Sequence, residues 1–346
     1  YIPPMQHFAA LIDRLTLTPQ RNGKLRLMVD YFTATPDPDR GYAVAALTGD
    51  LEIASVKPAM LRGLIAERMD EVLFRYSYDY VGDLAETISL VWPEPAPVGG
   101  DEPVPSLAQI VEALHAAGRV DGPKLVETWL DRLDTSGRYA LLKLVTGALR
   151  IGVTARLTKQ ALALFGDRDV TEIEEIWHGL EPPYEPLFAW LEGRAEKPES
   201  AARGPFRPVM LAHPVGDGDL AKAEPDDYAA EWKWDGIRVQ AVSDRGVRRI
   251  YSRTGDDISR AFPDVLDAMD FDGAIDGELL VIRDGEIAPF SDLQKRLNRK
   301  TTSKKLLADY PAGIRAYDLL FDGEDDLRPL PFDQRRARLE AWAAER

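Results

Sequence analysis

A chain of 346 residues with 45% hydrophobic and 29% charged residues is longer than one core comfortably fills, and it reads as two or three soluble folded domains. The absence of cysteine removes disulfides, thiolate metal ligands and thiol nucleophiles together, and the four histidines, His7, His115, His178 and His213, have no zinc spacing. With 43 basic and 58 acidic residues the formal charge is −15, which argues against nucleic acid as a nonspecific partner of the whole surface.

Apolar residues recur three and four apart in FAALIDRL, KLRLMVDYFTA and AMLRGLIAERM, which predicts helices up to about Leu90, punctuated by Pro36, Pro38 and Pro58. WPEPAPVGGDEPVP, Trp92 to Pro105, is too rich in proline and glycine for an element and reads as an exposed connection. Helices resume in SLAQIVEALHAAG, where Ser106 and Gln109 have the spacing of a capping box. GPKLVETWLDRL, RYALLKLVTGAL, VTARLTKQALALFG and TEIEEIWHGL continue the pattern. EGRAEKPESAARGPFRP, Glu192 to Pro208, forms a second boundary. Beyond it the period changes to two: EWKWDGIRVQAVSDRGVRRIYSR alternates around a DRG turn, AIDGELLVIRDGEIAPF around RDG, and GIRAYDLLFDG adds a strand. AFPDVLDAMD, DLQKRLNRK and the final RRARLEAWAAER read as helices. The expected organisation is multidomain: an all-α domain over 1–195, a linker over 196–208, and a mixed α/β domain with an antiparallel sheet over 209–346.

Charge is local. Leu141 to Gln160 carries Lys143, Arg150, Arg156 and Lys159 and no acid, and Asp292 to Lys305 has six basic residues against one acidic. No run of about eighteen apolar residues and no signal-peptide pattern is present, so the cytoplasm is the expected location and no membrane partner is expected.

The peptide EWKWDGIRVQ raises the chemical question, because lysine rarely sits between two tryptophans. In a strand the tryptophans would face away from Lys233 and hold the backbone while the amine looks into a cleft. Asp235 and Gly236 would turn the chain, and that turn could bring Arg238 back to the face of Lys233. Taken alone, the peptide reads equally as a surface lysine on a half-buried strand. Arg253 in YSRTG, and Asp276 and Glu278 in AIDGELL, extend the set. Lysine, arginines and a carboxylate suit a bound nucleotide, with Glu278 toward ribose or magnesium, and neither GxxxxGK[ST] nor GxGxxG is present.

Taken in order, Glu231-Trp-Lys233-Trp-Asp235-Gly236-Ile-Arg238, Ser252-Arg253-Thr-Gly255, Asp276-Gly277-Glu278-Leu279 and Ala316-Tyr317-Asp318-Leu319-Leu320 resemble the covalent nucleotidyltransferases, most closely the ATP-dependent DNA ligases. The resemblance implies that Lys233 takes up AMP from ATP and that Glu231 reads the adenine amine. It implies further that Arg238 and Arg253 bind ribose and phosphate, and that Glu278 serves ribose or Mg2+. Tyr317 would stack on the base, and Asp235 would serve the later sealing steps. YSYDYVGDLAETISL and LLKLVTGALRIGVTARLTKQALA resemble the helical DNA-binding domain of the larger ligases. That makes nicked duplex DNA the expected partner of a monomeric enzyme of repair or replication, with Lys143, Arg150, Arg156 and Lys159 as candidate phosphate contacts. The family's later glutamate-glycine motif, two-lysine motif and OB-fold domain do not follow Tyr317, so the resemblance implies weak or no sealing by these 346 residues. An RNA ligase or capping-type nucleotidyltransferase, and a DNA-binding module with a dead catalytic remnant, stand as alternatives.

Overall fold

The computed structural model describes residues 4–93, 104–147, 149–198, 203–297, 299 and 302–346. Two compact units divide the chain: Tyr1–Ile173 with Leu180–Glu199, and Glu174–Gly179 with Ser200–Arg346. The fold class read from the sequence holds, since an all-helical region precedes a mixed α/β domain with an antiparallel sheet.

In the first unit, the described residues form helices whose ends follow local chemistry. Ser106 accepts the Gln109 N–H and the Gln109 side chain accepts the Ser106 N–H, as the capping box requires. Asp83, Asp134 and Thr154 cap the helices Leu84–Val91, Thr135–Thr146 and Ala155–Gly166. Thr135–Thr146 is buried nearly all round, with Ala140 and every residue from Leu141 to Val145 inside. Asp39–Thr48, Glu71–Val81 and Leu84–Val91 are helices that apolar spacing did not single out.

The second unit is built on strands β1 (Ile237–Asp244), β2 (Val247–Ser252), β3 (Gly273–Arg283), β4 (Glu286–Ile287), β5 (Ala312–Asp322) and β6 (Asp325–Asp326). The sheet order is β2-β1-β3-β5-β6, with β4 beside β3 and every pairing antiparallel. Positive φ at Arg245 and Gly246 closes the β1–β2 hairpin, in the backbone region that two-residue turns require. One sheet face packs Val239, Ile250, Leu279 and Leu319 against Phe262, Val265 and Leu339, which the helices Pro263–Ala268 and Phe332–Ala344 help to supply. The alternate residues Arg238, Asp276 and Glu278 fall on the opposite face. The helix expected over DLQKRLNRK spans Phe290–Gln294 only, and Asn298 and Lys300 of that stretch lie outside the described residues.

Candidate active site

The WKW peptide is not a strand. Strand β1 begins at Ile237, and residues 231–234 run into a bend at Asp235 and Gly236. Trp232 does not hold a strand in place either, being 84% exposed, while Lys233 is exposed and Trp234 half-buried. The bend has a steric reason to use glycine, because a Cβ on Gly236 would stand 2.4 Å from the Leu279 carbonyl oxygen. That close approach delivers Lys233 and Arg238 to one cleft, as a turn at this point was expected to do.

The cleft has a volume of about 610 Å³, and Glu231, Lys233, Arg238, Glu278 and Tyr317 all line it. Register explains part of this convergence. Arg238 lies opposite Glu278 across β1 and β3, so both side chains share a face. On β5, Ala316 pairs with Gly277 and Asp318 with Asp276, which leaves Tyr317 as the extra residue of a β-bulge. The bulge turns two consecutive side chains, Tyr317 and Asp318, into the cleft, where plain alternation would send one of them away. The Arg238 guanidinium lies 5.8 Å from the centre of the Tyr317 ring.

Ion pairs set the electrostatics. Arg238 donates to Asp276 through Nε (3.1 Å) and Nη2 (2.6 Å), and through Nη1 to the Met210 carbonyl (2.7 Å). Burial raises the Asp276 carboxyl above its ordinary value, outweighing the lowering by Arg238. Glu278 is also raised by burial, opposed by the Gly236 N–H it accepts and by Lys233 and Arg238 nearby. Burial, followed by the charge of Asp276, pushes the Tyr317 hydroxyl up. Arg335 donates to both oxygens of Asp318, at 2.8 and 2.9 Å, and both side chains are buried. Glu231 accepts from Arg336.

Two expected residues stand apart. Arg253 is exposed, one step beyond the Val239–Ser252 pair and absent from the cleft lining, and Asp235 is exposed and also outside the lining. Asp276, named in the sequence beside Glu278, lines the cleft as well, and so do Asp318, Phe332 and Arg335, to which sequence reasoning gave no site role. A carboxylate inside the apolar run of AYDLLF, and the arginine pair opening the last helix, were the available signals.

The basic stretch of the first unit needs correction. Lys143 is buried, and its amine sits 2.6 Å from Asp83, so it cannot serve as an open phosphate contact. Lys159 is also buried, on the inward face of Ala155–Gly166. Lys143 sits on a helix buried nearly all round, and Lys159 lies with Thr158, Ala161, Leu162 and Ala163 on the buried side of its own. Arg150 and Arg156 are exposed, and Arg156 lines a groove with Arg21 and Lys24. Among the described residues, no three acidic or histidine side chains converge as a metal site.

A family model described as the ATP dependent DNA ligase domain was found to cover the stretch that builds this cleft. Residues 209–346 match the ATP dependent DNA ligase domain. The matched ligase domain contains all five of the expected residues that line the cleft. A probable DNA ligase of Koribacter versatilis (strain Ellin345) is 28% identical over 358 positions, covering 99% of this chain and 61% of that protein. A probable DNA ligase of Opitutus terrae is 29% identical over 416 positions, covering 96% of this chain and 40% of that protein. The chain thus spans less than two thirds of the length of these relatives. Among solved structures, mycobacterial DNA ligase D complexed with ATP and MES is 30% identical, with a TM-score of 0.27, over 33% of this chain and 36% of that one.

Proposed function

We propose that the chain is the nucleotide-activating part of an ATP-dependent DNA ligase, with Lys233 as nucleophile. The observation that carries this reading is the convergence of Glu231, Lys233, Arg238, Glu278 and Tyr317 on one cleft from separate stretches of the chain. The Lys233 Nζ lone pair attacks the α-phosphorus of ATP, the bond to pyrophosphate breaks, and the amine releases its proton as the P–N bond forms. An oxygen of the 5′-phosphate at a nick then displaces the lysine, and the 3′-hydroxyl attacks that phosphate and releases AMP. Arg238 orients ribose and phosphate while tied to Asp276, and Tyr317 offers its ring to the base. Arg253 is proposed to reach phosphate from the rim, and Asp235 to act in the sealing steps.

Magnesium is held in such reactions by one or two carboxylates together with phosphate oxygens and water, so a single carboxylate fits this cleft. Glu278 would hold it, since Asp276 is engaged by Arg238, and the ion would offset phosphate charge. In the first unit, Arg150 and Arg156 are proposed to contact DNA phosphates.

Incubation with ATP labelled in the α-phosphate tests the nucleophile. Label is expected on the protein. Lys233→Ala should remove it; label that survives the substitution refutes the assignment, and preferential labelling by GTP would favour a capping-type enzyme.

A further inference from the structure

We propose that Arg336 is a positioning residue for base recognition, holding the Glu231 carboxylate at the cleft edge as an acceptor for the exocyclic amine of adenine. The inference rests on the nucleotide reading above and concerns a residue to which that reading gives no role.

Glu231 needs an external anchor. It lies in a segment with no ladder hydrogen bonds, ahead of the first residue of β1, and its side chain is 42% exposed. A carboxylate on such a backbone would sample many orientations in water. Arg336 pairs with it from the helix Phe332–Ala344, and that helix is itself fixed to the sheet through buried Leu339. The preceding residue, Arg335, grips Asp318 immediately beside Tyr317. One turn of one helix therefore braces two chain segments, the one that carries the acceptor and the one that carries the aromatic ring. The Phe332 ring lies beside both guanidiniums, 5.8 and 5.5 Å from its centre.

The same residues meet around a side hollow of about 240 Å³, where Glu231 and Arg336 are neighbours of Tyr317. An ionised carboxylate can only accept hydrogen bonds, so it favours the amine of adenine and opposes the carbonyl that guanine carries at that position. A charge-assisted pair with an arginine keeps the carboxylate ionised and limits its rotation while leaving lone pairs for the base.

Calorimetric titration of the 346-residue chain with ATP, and with purine riboside triphosphate, which lacks the amine, provides the test. The unmodified chain should prefer ATP by about tenfold or more, as expected for a hydrogen bond to a charged acceptor. Arg336→Ala should compress that preference to within about threefold, and Arg336→Lys should keep part of it. Glu231→Gln should compress it as well, and combining it with Arg336→Ala should cost nothing further. Arg338→Ala removes a pairing with Asp322 on the same helix and should leave the ratio unchanged. A full preference retained in Arg336→Ala, with Glu231→Gln losing it, overturns the positioning role and leaves the nucleotide reading intact. Failure of the unmodified chain to bind either triphosphate overturns the nucleotide reading, and the positioning role with it.

Discussion

Glu192 shows how strongly a single pairing biases this acidic chain. Its carboxylate accepts from Arg40 at 2.6 Å and also pairs with Arg194. The hydrogen bond from Arg40 is the main cause that lowers it from 4.5 to about 2. A carboxyl depressed on folding contributes stability that is present above its unfolded value and is lost as pH falls through the folded one. The helical unit should therefore lose stability between about pH 4.5 and 2, and Glu192→Gln should flatten that part of the profile. Urea midpoints followed by helical circular dichroism would show it; parallel profiles for the two proteins would assign the acid sensitivity elsewhere. The effect is modest, because the group is largely open to solvent. At this scale motif spacing was easier to read than burial. The sequence singled out Glu231, Lys233, Arg238, Glu278 and Tyr317, which line one cleft, because each sits in a short patterned peptide. Lys143 was misread because a charge in a helix says nothing of which partner waits on the neighbouring helix, here Asp83.

Among the elements, hairpins were legible and irregularities were not. The DRG and RDG turns marked the β1–β2 and β3–β4 hairpins, because aspartate, arginine and glycine there adopt positive φ. The bulge at Tyr317 has no such signature, since it arises from the pairing of β5 with β3 rather than from the local residues. The irregular course of residues 231–234 was hidden by their aromatic content, which favours strands in general. Gly236, just before the first paired residue of β1, is pressed against β3. Gly236→Ala should force the two strands apart, since the added methyl would lie 2.4 Å from the Leu279 oxygen and 2.7 Å from a methyl of Leu280. A loss of about 2–3 kcal/mol or more is expected from overpacking at a backbone contact, read from urea unfolding of the second unit. Unchanged stability would mean that the strand ends separate easily and that the glycine serves nucleotide access instead.

For the whole molecule, DNA binding as proposed requires a chain of net charge −15 to engage a polyanion. Only local positive potential can do so, and the fold reduces the available set by burying Lys143 and Lys159. Arg150 and Arg156 remain exposed, and the groove that Arg156 shares with Arg21 and Lys24 is flanked by the N-terminus of the helix Ala155–Gly166. If DNA phosphates bind there, affinity of the chain for a nicked duplex should fall steeply between about 50 and 200 mM salt, because each neutralised phosphate releases counterions. Arg156→Glu or Arg150→Glu should weaken nicked and intact duplex by similar factors, and each should reduce the salt slope by about one. Lys143→Met should instead leave the slope unchanged and lower stability, since it strands Asp83 without its partner. Under the proposed DNA-binding role, the net charge of −15 would keep nonspecific binding weak. Titration by fluorescence anisotropy across that salt range separates the outcomes. A flat dependence, or equal slopes for the parent chain and Arg156→Glu, would remove these arginines from the interface and place recognition outside the groove.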